Sequence, residues 1–372
     1  LDSTSVTGKA GVLVDLPRIN YDANGENGAL LLEPSRQQLI QYSEWFGGWN
    51  AFNSTITNND TTSPEGLANA AKLAEDSSLA FHDADFSFTF SAVSNVFSVF
   101  AKANGRDKIF LQQFDGGTFH SSDVFDLTNG TYAGGNEGSI EDFGNGWFRC
   151  SYVKTTAAGS GKLYINLHNG TSGNYQGDGS SGVHIFGAQL EANATYASSY
   201  IPNHGTSGGV TRAADSCSVT GASDVIGQTE GTLFVEAENN PSAYLFAAPN
   251  NVIFGSINSG NYLNNFHFTT DASKIYVYCN SGGTLYASPG TTLPSSSTLK
   301  MAVTYTSSAI KFFLNGVLVG TDTSFNLPVG MNQIDVGHMG GQPATQKMRG
   351  GINKFIVFTE AITDAEAITL TT

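Results

Sequence analysis

Apolar side chains recur at every second position over much of this chain, and clusters rich in Gly, Asn and Ser repeatedly interrupt them. Phe86, Phe88 and Phe90 alternate with Ser and Thr, and Leu163, Ile165 and Leu167 alternate with Tyr164, Asn166 and His168. A period of two sends successive side chains to opposite faces, so these runs are half-buried strands. The breaks NGRD at 104–107, DGG at 115–117, NGTYAGGNEG at 129–138 and GTSGNYQGDGSSG at 170–182 are surface loops. The last two are long enough to carry function. The same grammar returns in Leu233, Val235 and Ala237, in Ile275, Val277 and Cys279, and in Leu299, Met301, Val303 and Tyr305. In AIKFFLNGVLVGT, Asn315-Gly316 supplies the two positive-φ residues of a type I′ hairpin. The pattern predicts an all-β protein.

Composition agrees and removes several functions. Charged residues are only 13% of the 372, whereas Gly 43, Phe 25 and Tyr 14 suit short strands joined by many turns. With 32 acidic and 17 basic side chains the net charge is −15, and no basic field is available for a nucleic-acid backbone. No apolar run reaches the roughly 18–20 residues of a membrane span. The start, LDSTSVTGKAGV, lacks Met and the pattern of a signal peptide, which is the expectation for a trimmed chain or part of a longer polypeptide. Cys150, Cys217 and Cys279 are too few and too widely spaced for a disulfide framework or a zinc site. The Asn-x-Ser/Thr sites at Asn53, Asn59, Asn129, Asn169 and Asn193 are what chance gives in so Asn- and Thr-rich a chain.

Four regions follow: an arm at 1–44, a sandwich at 45–205, a polar linker at 206–230 and a second sandwich at 231–372. The arm has too little apolar periodicity for a core of its own and is expected to pack on a neighbouring domain or subunit. Leu67–Asp76 is open between a short helix after Pro64 and a strand. Thr363-Asp364-Ala365-Glu366 is a capping box with an Ile362/Ala367 staple, predicting a terminal helix.

The run LLLEPSRQQLIQYSEWFGGW resembles the entry segment of a family of bacteriophage virion proteins, in which it precedes a carbohydrate-binding-module-like jelly roll. GNGWFRCSYV at 144–153 and GAQLEANATYASSYIPNHGTSGGVTRAAD at 187–215 are similar to that family's later signatures, in the same order. Gln38 and Asn203 stand where the family usually has Asn and Thr. LKMAVTYTSSAIKFFLNGVLV and GGINKFIVFTEAITDAEAITL resemble laminin-G/concanavalin A-like sandwiches. The resemblance implies two tandem antiparallel β-sandwiches, jelly-roll and concanavalin A-like. It also implies a location on the virion surface, contacts with other virion proteins and host-surface glycans, and a homo-oligomer.

Sugar recognition needs aromatic faces beside Asn, Asp, Gln and His. Trp45, Trp49, Tyr132, Tyr175 and Tyr262 are the candidates, and each is open between a ligand contact and an ordinary packing or surface role. Calcium is the one cofactor with a candidate site, at Asp115, Asp123 and Asp126, with Asp83 and Asp85 a second pair; the spacing equally suits turn-forming residues. No GxSxG, HExxH or solenoid repeat occurs, so a non-catalytic chain is expected. Three functions stand: a glycan-binding adhesin module, a purely structural or decoration protein of the virion, and the accessory binding part of a polysaccharide-degrading enzyme.

Overall fold

The computed structural model describes residues 18–21, 28–133, 138–239, 252–270, 273–340, 348 and 350–372. The protein is almost entirely antiparallel β, in two units. Arg36–Arg212 belong to unit 1, and the described parts of Asp15–Ser35 join Ala213–Thr372 in unit 2.

Unit 1 has two main sheets. The first runs Thr131–Ala133, Val124–Asp126, Lys108–Phe114, Gly159–His168, Asp83–Phe90 and Asn50–Phe52, with Phe119–Ser121 also beside Lys108–Phe114. The second runs Gly138–Asp142, Trp147–Thr155, Ser94–Asn104, Gly182–Ala192, Ala70–Glu75 and Ser54–Thr61. Neighbours distant in sequence make this a jelly-roll-like order. Every second residue of each sheet points inward: Ile109, Leu111, Leu163, Ile165 and Leu167 from one side meet Phe97, Val99, Cys150, Val183 and Ile185 from the other in one core. The 67–76 segment is a strand over Ala70–Glu75, because Ala71 and Leu73 fill this core while Lys72 faces out.

Unit 2 repeats the plan. One sheet runs Ile19–Asn20, Ala29–Leu32, Gly350–Phe358, Gly231–Glu238, Thr298–Tyr305, Ile310–Leu314 and Val317–Asp322. The other runs Cys217–Thr220, Gln333–Val336, Val252–Asn258, Asn265–Thr270, Lys274–Ser281 and Thr284–Ala287, with Gly290–Thr292 beside Lys274–Ser281. Leu233, Val235, Phe254, Phe266, Phe268, Met301 and Phe312 lie between them. Asn315 and Gly316 have φ of 46° and 79°, the pair a type I′ turn requires. The helix Asp364–Thr371 carries the expected capping box and packs Ala367 and Leu370 on Phe234 and Phe313, the reverse face of the first sheet.

The described residues of the 1–44 arm are shared between the two units and do not form one region. Ala29–Leu32 is a strand of unit 2, with Leu30 opposite Ile352, and Arg18 bridges Glu33 and Asp215. Arg36–Gln38 instead pairs with Val210–Arg212 in unit 1. The 206–230 stretch divides likewise, between Val210–Arg212 and Cys217–Thr220. The buried Gln38 answers a local need. The Gly182–Ala192 strand bulges between Phe186 and Gln189, and Gln38 Nε2 donates to the Ala188 carbonyl at 2.8 Å while its Oε1 accepts from Leu190 N and Ile40 N at 3.0 Å. A buried amide thus satisfies backbone groups that the ladder leaves free.

Candidate functional site

The aromatic residues singled out from sequence do not converge. Trp49 is 6% exposed and lies on Phe46, Phe86 and Phe97 in the unit 1 core. Tyr175, placed by its Gly-rich surroundings on an open loop, is 4% exposed. Its hydroxyl donates to Glu75 at 2.6 Å, and the Arg106 guanidinium, which also bridges Glu75, lies over its ring. Of the two alternatives open for each, both side chains take the packing role. Trp45 is half-buried, edge-on to Tyr42, and Tyr132 sits at a sheet edge beside Phe125. Tyr262 is exposed in unit 2, in the turn before Asn265–Thr270.

The calcium trio also fails to assemble. Asp115 Oδ1 accepts from the amides of Gly117 and Thr118, and its Oδ2 faces Ala157 N and His120. The Ala157 amide first, then His120, hold its carboxyl well below the usual range. Asp126 caps its own turn through Thr128 and Asn129. These are turn-forming roles. Among the described residues no group of three or more His, Cys, Asp or Glu could hold a metal ion.

A different surface emerges on the outer face of the first sheet of unit 1. Direct cross-strand partners share a face, with Cβ atoms about 5 Å apart. One row reads Phe52, Asp83, Asn166, Phe110, and the next Asn50, Asp85, Tyr164, Gln112, Ser121. A third reads Ser87, Lys162, Phe114, Phe119. Lys162 Nζ and Asn50 Nδ2 hold Asp85 at 2.9 and 2.8 Å. Asn166 Nδ2 donates to Gln112 Oε1 at 3.1 Å, and Gln112 donates to Ser121 at 2.7 Å. Phe119 stacks on Phe114 at 4.5 Å and lies 5.8 Å from Tyr164. Phe52 and Phe119 are each more than half exposed.

At the centre, Asp83 is 5% exposed and its Oδ1 has no hydrogen-bond partner among the described residues. Burial first, and the charge of Asp85 second, push its carboxyl up to about 7. A group there accepts or donates to a hydroxyl near neutral pH. Asp83 and Asp85 leave one strand on the same face of the sheet, and both are buried there. The sequence signal was present in the polar positions that alternate with Leu163, Ile165 and Leu167, but periodicity alone does not say which strands lie side by side.

Unit 2 carries a polar sheet face of its own. Buried Asp335 accepts from Ser218, Asn258, Gln333 and the Gly340 amide, at 2.6 to 2.8 Å. These bonds occupy its carboxylate, and the network is structural.

One family model matches part of the chain. Residues 227–367 match the family model of the concanavalin A-like lectin/glucanases superfamily. Unit 2 therefore contains a concanavalin A-like domain. No curated protein matches the chain. Among solved structures, the chain is similar to the Ruminococcus gnavus IT-sialidase CBM40 bound to α2,3-sialyllactose, at 17% identity and TM-score 0.33, over 42% of this chain and 97% of that one. The NanB sialidase of Streptococcus pneumoniae is similar at 17% identity and TM-score 0.31, over 41% and 26%. The binding domain of botulinum neurotoxin serotype G is similar at 14% and 0.32, over 41% and 39%.

Proposed function

We propose that this chain is a non-catalytic glycan-recognition protein, and that the Asp83 face of unit 1 is its binding surface. One observation carries the reading: a buried carboxyl with an unpartnered oxygen sits among Asn50, Tyr164, Asn166 and Gln112, between exposed phenylalanine rings. Sugar rings need apolar faces to lie on and a few fixed polar groups for their hydroxyls, and this face offers both. The concanavalin A-like match in unit 2 supports the same class. In its finer form, the proposal makes the chain a virion-surface component of a bacteriophage that holds host-surface polysaccharide. That part is supported by the three ordered sequence signatures around Arg36, Trp147 and Arg212.

The test is calorimetric titration of the full chain with neutral cell-surface polysaccharides, with reducing ends followed in the same samples. Saturable binding that falls about tenfold in both Tyr164→Ala and Gln112→Ala, without new reducing ends, supports the proposal. New reducing ends would make the chain an enzyme. No binding by the folded wild type would leave the structural or decoration role.

A further inference from the structure

The second sheet of unit 1 carries another row on its outer face. Thr57, Lys72, His184, Lys102 and Trp147 are successive direct cross-strand partners, spanning five strands of the sheet. Their chain neighbours Ile56, Ala71, Leu73, Val183, Ile185, Ala101 and Phe148 turn inward to the core, so the row as a whole faces away from it. Lys72 and Lys102, on either side of His184, put two like charges on one face of a chain with a net charge of −15.

Several other cations of the unit are paired with carboxylates where they stand. Lys108 meets Asp107 and Asp126, Lys162 meets Asp85, and Arg106 meets Glu75. Lys72 and Lys102 have neither an ion pair nor a side-chain hydrogen bond among the described residues. His184 Nε2 is engaged by Asp60 at 2.9 Å and by Asn104 at 2.9 Å, while its buried Nδ1 has no partner.

Lys102 also lines a cavity of about 260 Å3 with Trp147, Phe143, Thr62, Ser63 and Asn145. None of the residues lining it is acidic. Trp147 is 2% exposed and anchored by its indole N–H on the Thr62 carbonyl at 3.2 Å, whereas Phe143 is 44% exposed. The volume lies just below the roughly 300 Å3 at which small-ligand clefts begin, which is room for one compact group.

We propose that this row and cavity form a second binding site, which takes a single anionic sugar unit bearing a carboxylate or a sulfate. The anion lies across Lys102 and Lys72, and the sugar ring rests on Phe143 with its hydroxyls toward Thr62, Ser63 and Asn145. The charge argument selects this occupant. Two uncompensated cations on an otherwise acidic protein suit an isolated anion, whereas a continuous polyanion would meet repulsion beyond the row. The hydroxyl- and amide-lined, carboxylate-free cavity beside them supplies what a bare inorganic anion would not need. The site is on the opposite sheet from Asp83, so each can fail without the other.

Trigalacturonate and a sulfated maltotriose serve as probes, with unsulfated maltotriose as the neutral control and inorganic sulfate as competitor, all titrated calorimetrically against the full chain. The expected result is binding of the anionic probes that weakens with salt. It should fall about tenfold or more in Lys72→Gln/Lys102→Gln, fall in Phe143→Ala, and stay unchanged in Tyr164→Ala. Equal binding of sulfated and unsulfated maltotriose would overturn the proposal, as would anionic binding undiminished in the double lysine variant. Displacement by inorganic sulfate at the same concentration as the sulfated sugar would reduce the site to an unspecific anion patch and overturn the sugar assignment. Loss of neutral-glycan binding in Tyr164→Ala alone would bear on the Asp83 face and leave this site standing.

Discussion

Replacing Asp83 by Asn should make unit 1 more stable, and only above mildly acidic pH. The carboxyl ionises at about 7 in the folded protein against 3.8 for the ordinary group. Its folded-state value is raised, so its contribution is most favourable below the unfolded value and declines as pH climbs from about 4 to about 7. At 1.36 kcal/mol per unit, roughly three units amount to about 4 kcal/mol of stability lost by pH 8. Asn keeps the size and the hydrogen-bonding capacity and cannot ionise. The variant should therefore melt about 10 °C above wild type at pH 8, taking roughly 2–4 °C per kcal/mol for a unit of this size. The two should converge near pH 4. Trp45, Trp49 and Trp147 are the chain's only tryptophans and all belong to unit 1, so fluorescence melts report that unit alone. Glu44, raised to about 7 by burial and by Glu65, will leave the variant a residual slope of the same sign. A difference that is flat from pH 4 to 9, or a variant less stable at pH 8, would refute the argument that Asp83 is a buried carboxyl held against its charge.

Three further outcomes are expected. His267 in unit 2 is depressed to about 3 by burial, so the unfolded chain binds the extra proton and unit 2 should lose stability as pH falls from about 6.5 toward 3; His267→Gln should flatten that limb in circular-dichroism melts. Glu75→Gln leaves Arg106 without its bidentate partner and Tyr175 with a changed acceptor, and should cost unit 1 about 3 kcal/mol in urea titrations followed by tryptophan emission. Thr363→Ala removes the hydroxyl that caps Glu366 N and should cost about 1 kcal/mol, read as a lower unit 2 midpoint with tryptophan emission unchanged.

The all-β class was legible because period-two alternation follows directly from strand geometry. The Asn315-Gly316 turn and the Thr363–Glu366 cap were legible because each is a local device within a few residues. The arm was not. Leu30 and Leu32 bury against strands more than 300 residues away, and Gln38 is buried only because the bulge near Ala188 needs its amide. Neither partner is visible from the segment itself. The site followed the same rule. Asp83 and Asp85 stood out as a carboxylate pair, but Asn50, Asn166 and Gln112 join them only through strand pairing. Conversely, Tyr175 was misjudged because a Gly-rich loop around it says nothing of Glu75 and Arg106, which draw it inward.

The placement of Ala29–Leu32 has a consequence for synthesis. The described residues of unit 1 lie in the chain between this strand and the rest of unit 2. A ribosome making about 5–20 residues per second delivers the whole jelly roll before the partner strand Gly350–Phe358 exists, so the early strand waits on the order of ten seconds or longer. During that interval its edge is open, and unit 1 can close first as a self-contained body. The Gly350–Phe358 strand, not the Ala29–Leu32 strand, decides when unit 2 is complete.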